Sequence, residues 1–336
     1  MTQVQKYCSP SEGVREVAHN AVVIPEAELA SHRWRRILSQ PLGRSMAAVA
    51  ATLLWGSAFP FIKMGYAAGH ISRGAVFQQL VFAGWRFALA GLLLCMLAVA
   101  TGRTPWPRTY RQARFGLRIA SVQTFLQYVF FYIGIAASSG ISASLLAGTL
   151  TFFQLGIAHV RHPDDRLSTR RVGAALVGFG AVALYFLRQG SGDLRFGWGE
   201  ASLLVAMFFS ALGNVMNREA ATSDWMPLPL TAWQMLIGGV ALTVVGLCGG
   251  GLKGIAMTPG LLWVLIYLAC VSACSFAFWN ALMAYNRASR VSVFLFLIPV
   301  FGVGLSSAIL HEALHPSLLL VLFAVAGSII WAQREG

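Results

Sequence analysis

Apolar residues fill this chain in long unbroken stretches separated by short polar segments. A helix that crosses a bilayer needs about 20 mostly apolar residues. Ten stretches meet that requirement: 45–66, 79–100, 115–137, 141–160, 171–188, 198–217, 228–248, 260–282, 288–310 and 316–333. The runs do not alternate apolar with polar, which argues against transmembrane strands. The pattern predicts an all-α integral membrane protein with ten transmembrane helices. Composition agrees. Of 336 residues, 57% are apolar and only 11% charged, whereas a soluble domain carries about 25% charged residues. A soluble globule, a disordered chain and a disulfide scaffold are excluded as descriptions of the whole.

The net charge of +13, from 25 Lys and Arg against 12 Asp and Glu, first suggests a nucleic-acid or anionic partner. Its placement says otherwise. With the N-terminus in the cytoplasm, that side receives seventeen arginines, including Arg33, Arg35, Arg36 and Arg44 ahead of span 1 and Arg103–Arg118 before span 3. The other side receives only Lys63, Arg73, Arg188, Arg195 and Lys253. The positive-inside rule then places both termini in the cytoplasm of a multi-pass inner-membrane protein, and no nucleic-acid partner is needed. Residues 1–44 read as a polar cytoplasmic tail, broken by Pro10, Pro25 and Pro41 and lacking the pattern of a secretory signal. A disordered tail ending in a basic stop is the expectation, over a short surface helix at 26–38. The five cysteines read as small packing residues.

The chain also repeats. Shifted by 148 residues, Trp85-Arg86 meets Trp233-Gln234, Tyr132 meets Asn280 and Ser144 meets Ser292. At an offset of 155, Lys63 meets Arg218. After a gap, Asp165-Arg166-Leu167 meets Glu312-Ala313-Leu314. Five spans per copy is an odd number, so the second copy enters the membrane upside down. Two inverted five-helix repeats, 45–188 and 198–333, are the expected organisation, and it suits alternating access in a transporter.

Several segments carry a family resemblance: LLWGSAFPFIK in span 1, GWRFALAGLLL in span 2, FFYIGIAASSGISASLLAG across spans 3 and 4, and SVFLFLIPVFGVGLSSAILHEAL in the second half. Over about 45–333 the chain resembles the EamA-like permeases of the drug/metabolite transporter superfamily. The resemblance implies a ten-helix permease with cytoplasmic termini, and it favours export. Thr151 stands where the family often has a proline, while Pro299 is kept in span 9.

Polar side chains inside a bilayer face protein or a wet cavity. Gln123, Thr124, Gln127, Tyr128 and Tyr132 share one face of span 3. Ser144, Thr151 and Gln154 stripe span 4; Ser210, Asn214 and Asn217 stripe span 6; Ser272, Ser275, Trp279 and Asn280 stripe span 8. The expected central cavity is walled by spans 1, 3, 4, 6, 8 and 9. Its candidate substrate-binding residues are Trp55, Arg86, Gln127, Tyr128, Tyr132, Thr151, Asn214, Gln234, Trp279 and Asn280. Lys63, Arg218, Pro60 and Pro299 are the candidate gating or helix-end residues. Spans 5 and 10 are nearly free of polar side chains and are expected at the periphery, against lipid or a second copy.

Arg86 is the one charge well inside a predicted span. Near mid-bilayer it costs about 2.5–3.5 kcal/mol, so it either clamps a substrate carboxylate or caps carbonyls and reaches for the outer surface. No acidic residue lies near a mid-span position. An aromatic, weakly charged cavity suits a small neutral or zwitterionic solute, amino-acid-like or drug-like, better than a sugar phosphate. His311-Glu312-Ala313-Leu314-His315 matches the H-E-x-x-H zinc signature, which would make a membrane metalloenzyme. Pro316 biases His315 away from helix, and the repeat accounts for Glu312 without metal. A transporter with no cofactor, no metal and no enzymatic activity is the expectation; a non-transporting receptor or scaffold is the other alternative.

Overall fold

The computed structural model describes residues 34–72, 74–138, 146–189, 196–220, 225–311 and 317–334. Among them every regular element is helical: α1 (Pro41–Ala68), α2 (Val76–Ala100), α3 (Tyr110–Ala137), α4 (Thr149–Arg161), α5 (Thr169–Gln189), α6 (Trp198–Arg218), α7 (Pro227–Cys248), α8 (Pro259–Tyr285), α9 (Ala288–Leu310) and α10 (Ser317–Gln333). Seven of these, α1, α2, α3, α6, α7, α8 and α9, are long and apolar enough to cross a membrane. α10 is apolar but has 17 residues, and α4 has 13. The protein is an all-helical integral membrane protein.

The start of α1 and the end of α10 meet, with Arg44 Nη2 donating to Gln333 Oε1 at 2.6 Å. The face that holds them is called here the terminal face, and the other the distal face. Two expectations about this end are corrected. Pro41 takes the first helical position, where its missing N–H costs nothing, so Arg44 lies inside α1 and is buried rather than ahead of the span. Residues 34–39 are helical too, Leu38 is buried, and Asn286 donates to the Leu38 carbonyl at 3.0 Å. The last residues before α1 are therefore docked on the end of α8, not a loose tail. α3 likewise starts five residues earlier than the apolar run. Thr109 caps it, and Arg111, Arg114 and Arg118 stand exposed on its first turns.

α2 and α7 pack antiparallel with their backbones nearly touching. A Cβ on Gly84 would strike the Gly239 carbonyl at 2.8 Å, and one on Gly246 would lie 2.6 Å from Val81. Gly91 faces the Leu236 backbone, and Gly239 faces Ala88. The glycines recur every seven residues on both helices, so two bare seams meet. Close approach over small residues is how helices associate where lipid removes the hydrophobic drive. Other extensive contacts join α1 to α8 and α9, α2 to α8, α3 to α6 and α7, α4 to α6, and α5 to α10. In the last pair Trp331 lies over Gly173, while Phe323, 72% exposed, and its neighbours Leu319 and Leu320 face outward. α5 and α10 are peripheral, as their lack of polar side chains predicts.

Two helices change pitch. α3 widens into a π-helical segment at Ala120–Leu126, and α9 tightens into a 3-10 segment at Ser292–Phe296 before Pro299. Irregular turns of this kind redirect side chains and concentrate at functional sites.

Candidate functional site

The π segment of α3 carries Gln123 and Thr124, and two glycines make room for them. Gly213 of α6 packs on Gln123 and Gly238 of α7 on Thr124. Gln123 enters the middle of the bundle and is 1% exposed. Its Nε2 donates to Asn214 Oδ1 at 2.7 Å and to Asn280 Oδ1 at 3.3 Å, while its Oε1 accepts from Asn217 Nδ2 at 2.8 Å. Asn214 Nδ2 donates to Gln154 Oε1 at 2.8 Å, and Gln154 Nε2 donates to Ser292 Oγ at 2.9 Å. Asn280 Nδ2 donates to Thr231 Oγ1 at 3.0 Å and reaches Gln234 Oε1 at 3.5 Å. The result is one buried amide lattice tying α3, α4, α6, α7, α8 and α9 together in the half of the bundle nearer the terminal face. Such a network is stable only when its members are satisfied.

Beside it, towards the distal face, lies an arginine in an aromatic setting. α2 begins at Val76, earlier than the apolar run, so Arg86 is the eleventh residue of a 25-residue helix. It is 3% exposed. Its Nε donates to Ser272 Oγ at 2.6 Å, and its guanidinium stands 5.0 Å from the Phe87 ring centre. The hydroxyls of Tyr66, Tyr128 and Tyr132 lie within its electrostatic reach. Phe87 packs on Tyr128 at 4.4 Å and on Phe276 at 6.1 Å. Trp55 closes the ring, edge-on to Phe276 at 5.3 Å and tilted against Trp279 at 5.4 Å. Trp55, Gln127 and Tyr128 are only half-buried although they sit in the centre of their helices.

Four polar atoms between this aromatic group and the lattice have no hydrogen-bond partner among the described residues: Thr124 Oγ1, Gln127 Oε1, Gln234 Nε2 and Trp279 Nε1. Buried polar atoms are seldom left unpaired. Acceptors and donors around an aromatic wall are the furniture of a small-molecule site.

The sequence candidates thus separate into two neighbouring groups. Trp55, Arg86, Tyr128, Tyr132 and Trp279 make up the arginine–aromatic group, here called the chamber, and Gln127 stands next to Tyr128 on α3. Asn214, Gln234 and Asn280 belong to the lattice. Thr151 is buried at the edge of the lattice, donating to the Ser292 carbonyl at 3.3 Å and so fastening α4 to α9. Pro60 is buried inside α1. Pro299 lies against Val182, Tyr185 and Val321, on the α5–α10 side and away from the chamber. Lys63 is exposed near the distal end of α1. α2 and α7 join the expected wall, because Phe87, Thr231 and Gln234 all face inward.

Arg218 heads a second cluster at the terminal face. It is paired with Asp164 and meets Asp165 Oδ2 at 3.4 Å. Asp165 has a fully buried side chain that also meets Arg171 at 3.7 Å and accepts from Ser289 N at 3.2 Å and Ser289 Oγ. Arg161 binds Glu219 through both carboxylate oxygens, at 2.8 and 3.1 Å. The loop between α4 and α5 is thereby latched to α6 and α9. The Arg218 guanidinium beside Asp164 holds that carboxyl below its ordinary value.

Sequence reasoning did not select Tyr66, Ser272, Gln123, Gln154 or Asn217 as site residues. All but Tyr66 were visible in the polar stripes; Tyr66 falls at the predicted edge of its span. Only His311 of the zinc signature lies among the described residues. α9 stops at Leu310 and His311 adopts a left-handed conformation, φ 56°, so the first histidine is already off the helix. Residues 312–316 lie outside the described residues, and no group of three metal-ligating side chains occurs among the described ones.

Comparison with known proteins bears on this arrangement. The EamA-like transporter family matches the chain twice, over residues 44–187 and 197–332. The chain belongs to the EamA-like transporter family. Among similar EamA-type relatives are the uncharacterized transporter YvbV of Bacillus subtilis strain 168, 26% identical over 82% of this chain and 87% of that one, and an uncharacterized transporter of Archaeoglobus fulgidus, 24% identical over 82% and 90%. A crystal structure with a TM-score of 0.69 and 13% identity covers 85% of this chain and 95% of its own, a likeness of fold. The family and its named relatives make this EamA protein a membrane transporter.

Proposed function

We propose that the protein is a secondary permease that carries a small neutral or zwitterionic metabolite, amino-acid-like or drug-like, outward by alternating access. The observation that carries the reading is Arg86, a guanidinium buried at mid-helix beside Ser272, three tyrosines and an aromatic ring. A substrate carboxylate supplies the bidentate partner a buried guanidinium prefers. The aromatic wall takes the apolar part of the solute, and the unpaired polar atoms take its remaining polar groups.

In this reading ten helices form two inverted halves, 45–188 and 198–333, after a tail at 1–44. Two matches to one family unit support it. So does the packing: adding five to each helix of the most extensive contacts returns another of them. α3–α6 becomes α8–α1, α1–α9 becomes α6–α4, and α2–α7 and α5–α10 return themselves. Arg86 and Tyr132 in one half then correspond to Gln234 and Asn280 in the other. The chamber and the lattice are two versions of one site, one on each side of the midplane. With the lattice and the latch both made, the conformation is closed towards the terminal face. The excess of arginines there supports an inner-membrane orientation with both termini cytoplasmic, and the lipid-facing α5 and α10 offer a surface for pairing of copies.

The test is counterflow of labelled amino acids and amines into liposomes reconstituted with the full chain. Arg86→Gln is expected to cut kcat/KM for a carboxylate-bearing substrate about tenfold to a hundredfold, since a lost charge-assisted hydrogen bond costs about 1.5–3 kcal/mol. Arg86→Lys should fall between. Unchanged flux in Arg86→Gln would remove the arginine from the site. A resistance screen in an overexpressing strain reads direction.

A further inference from the structure

Two interfaces in the bundle carry the same kind of polar pair, one closed and one open. Shifted by 148 residues, Arg86 meets Gln234 and Ser272 meets Thr124. The contacts keep this register: Gly91 faces Leu236, and their counterparts, Gly239 and Ala88, face each other as well. α2 packs on α8, and α7 packs on α3, so each pair spans an interface of the same kind. Across the first, Arg86 Nε donates to Ser272 Oγ at 2.6 Å. Across the second, Gln234 Nε2 and Thr124 Oγ1 have no hydrogen-bond partner among the described residues.

The open pair lies deep in the bundle, with Thr124 1% exposed and Gln234 fully buried. Thr124 rests on Gly238, one turn along α7 from Gln234. Gln234 Oε1 is turned towards Asn280 at 3.5 Å, which leaves Nε2 as its free end. One turn along α3 from Thr124, Gln127 Oε1 is a third polar atom with no partner among the described residues. Trp279 Nε1, the fourth, stands on the chamber side, where its ring packs on Trp55. A seam that served packing alone would be more stable with Val and Leu at these places, because an unmade buried hydrogen bond costs free energy.

The three atoms on α3 and α7 select a particular partner. Gln234 Nε2 only donates, Gln127 Oε1 only accepts, and Thr124 Oγ1 does either. A primary carboxamide has one carbonyl and two N–H groups. Its carbonyl accepts from Gln234 while its N–H groups donate to Thr124 and Gln127, which satisfies all three. A carboxylate brings no donor for Gln127, and an ammonium brings no acceptor for Gln234. A thioether or methyl end leaves all three unpaired. On the reading in which Arg86 holds the carboxylate of the cargo, we infer that Thr124, Gln127 and Gln234 form a second subsite, for a primary carboxamide. The cargo is then a small carboxylate that carries a carboxamide at its other end.

The experiment is counterflow into liposomes reconstituted with the full chain, comparing labelled glutamine with methionine and glutamate. The three solutes are similar in size and differ in the end group. Wild type is expected to favour glutamine over both by about tenfold or more in kcat/KM, because a site built on hydrogen bonds rejects an analogue that leaves them unpaired. Thr124→Val is isosteric and loses no hydrogen bond to a described residue, so it should fold. It and Gln234→Leu should each lower the glutamine-to-methionine ratio about tenfold. Thr243→Val, on α7 with its hydroxyl bonded to the Gly239 carbonyl of its own helix, should keep the wild-type ratio. A second readout needs no transport: glutamine should raise the detergent Tm of wild type, in proportion to saturation, more than that of Thr124→Val. A glutamine-dependent rise that survives Arg86→Gln but not Thr124→Val keeps the subsite and removes the arginine reading. Equal flux of all three solutes in wild type, lowered by Arg86→Gln, keeps the arginine reading and overturns the subsite, leaving water as the partner of these atoms. Neither flux nor a rise in Tm with any of the three overturns both.

Discussion

Gln123 spends both ends of its amide on three asparagines from two other helices. Replacing it with leucine removes no charge and little volume, yet leaves the Oδ1 atoms of Asn214 and Asn280 without their donor, while Asn217 Nδ2 keeps the Gly213 carbonyl at 3.0 Å. Each stranded amide costs about 1–3 kcal/mol. Gln123→Leu is therefore expected to lower the detergent Tm by more than Gln127→Leu, whose Oε1 has no partner among the described residues to lose. Equal Tm losses would mean that the lattice contributes nothing special. For transport the order reverses for the chamber: Tyr132→Ala should impair flux with membrane insertion intact. At the terminal face, Asp164 is held as a carboxylate by Arg218. A depressed carboxyl contributes stability above its ordinary value of 3.8, and that contribution fades as pH falls through the lower value in the folded protein. The pair is half in solvent, so the effect is small and screened by salt. Asp164→Asn should lower stability slightly at pH 7 and flatten the acid limb of the stability curve below about pH 4, where the parent loses the same contribution.

At the scale of elements, the α2–α7 seam sets how closely the two halves approach. Gly239→Leu would drive a side chain into the Ala88 backbone and is expected to abolish the monodisperse peak in gel filtration. Gly156→Leu meets nothing within 4 Å and should leave it intact. Much of this level was legible in the apolar runs: α9 begins and ends at the predicted residues, and α5 and α10 are peripheral. The early starts of α1, α2 and α3 were not. Their first turns carry Arg44, Gln78 and Gln79, and Arg111 and Arg114, polar residues that a hydropathy reading assigns to loops. The earlier start of α2 places Arg86 eleventh in its helix, where the predicted span made it eighth. The π segment of α3 was equally hidden, because one wide turn leaves the order of apolar and polar residues unchanged. The polar stripes named the right faces but could not separate chamber from lattice. Which side chain on a face bonds which neighbour depends on helix rotation, and a single chain's periodicity does not fix that.

At the scale of the whole molecule, the latch and the lattice both lie towards the face where α1 starts and α10 ends. Reporter fusions after Arg111 and Gly192 should read opposite compartments, with Arg111 on the cytoplasmic side. The reverse would invert the proposed orientation and with it the direction of export. Asp165→Asn should loosen the latch. It is expected to raise accessibility of a cysteine placed at Gln154 to a membrane-impermeant thiol reagent, while Asp164→Asn changes it little. Protection equal to the parent in both variants would mean that the loop does not close this side.

The amide lattice decides what an empty carrier can do. Its members share atoms, so it cannot come apart one bond at a time; Gln123 alone holds two partners with a single nitrogen. Opening it towards the terminal face without cargo exposes a handful of amides to an apolar interior, at a cost of about 1–3 kcal/mol for each one left unpaired. A solute that brings its own donors and acceptors removes much of that cost, and a hydrocarbon does not. In the proposed cycle the lattice thus acts as a toll on idle turnover: the protein reorients when it carries something polar and otherwise stays shut, keeping passive leak of ions and water low.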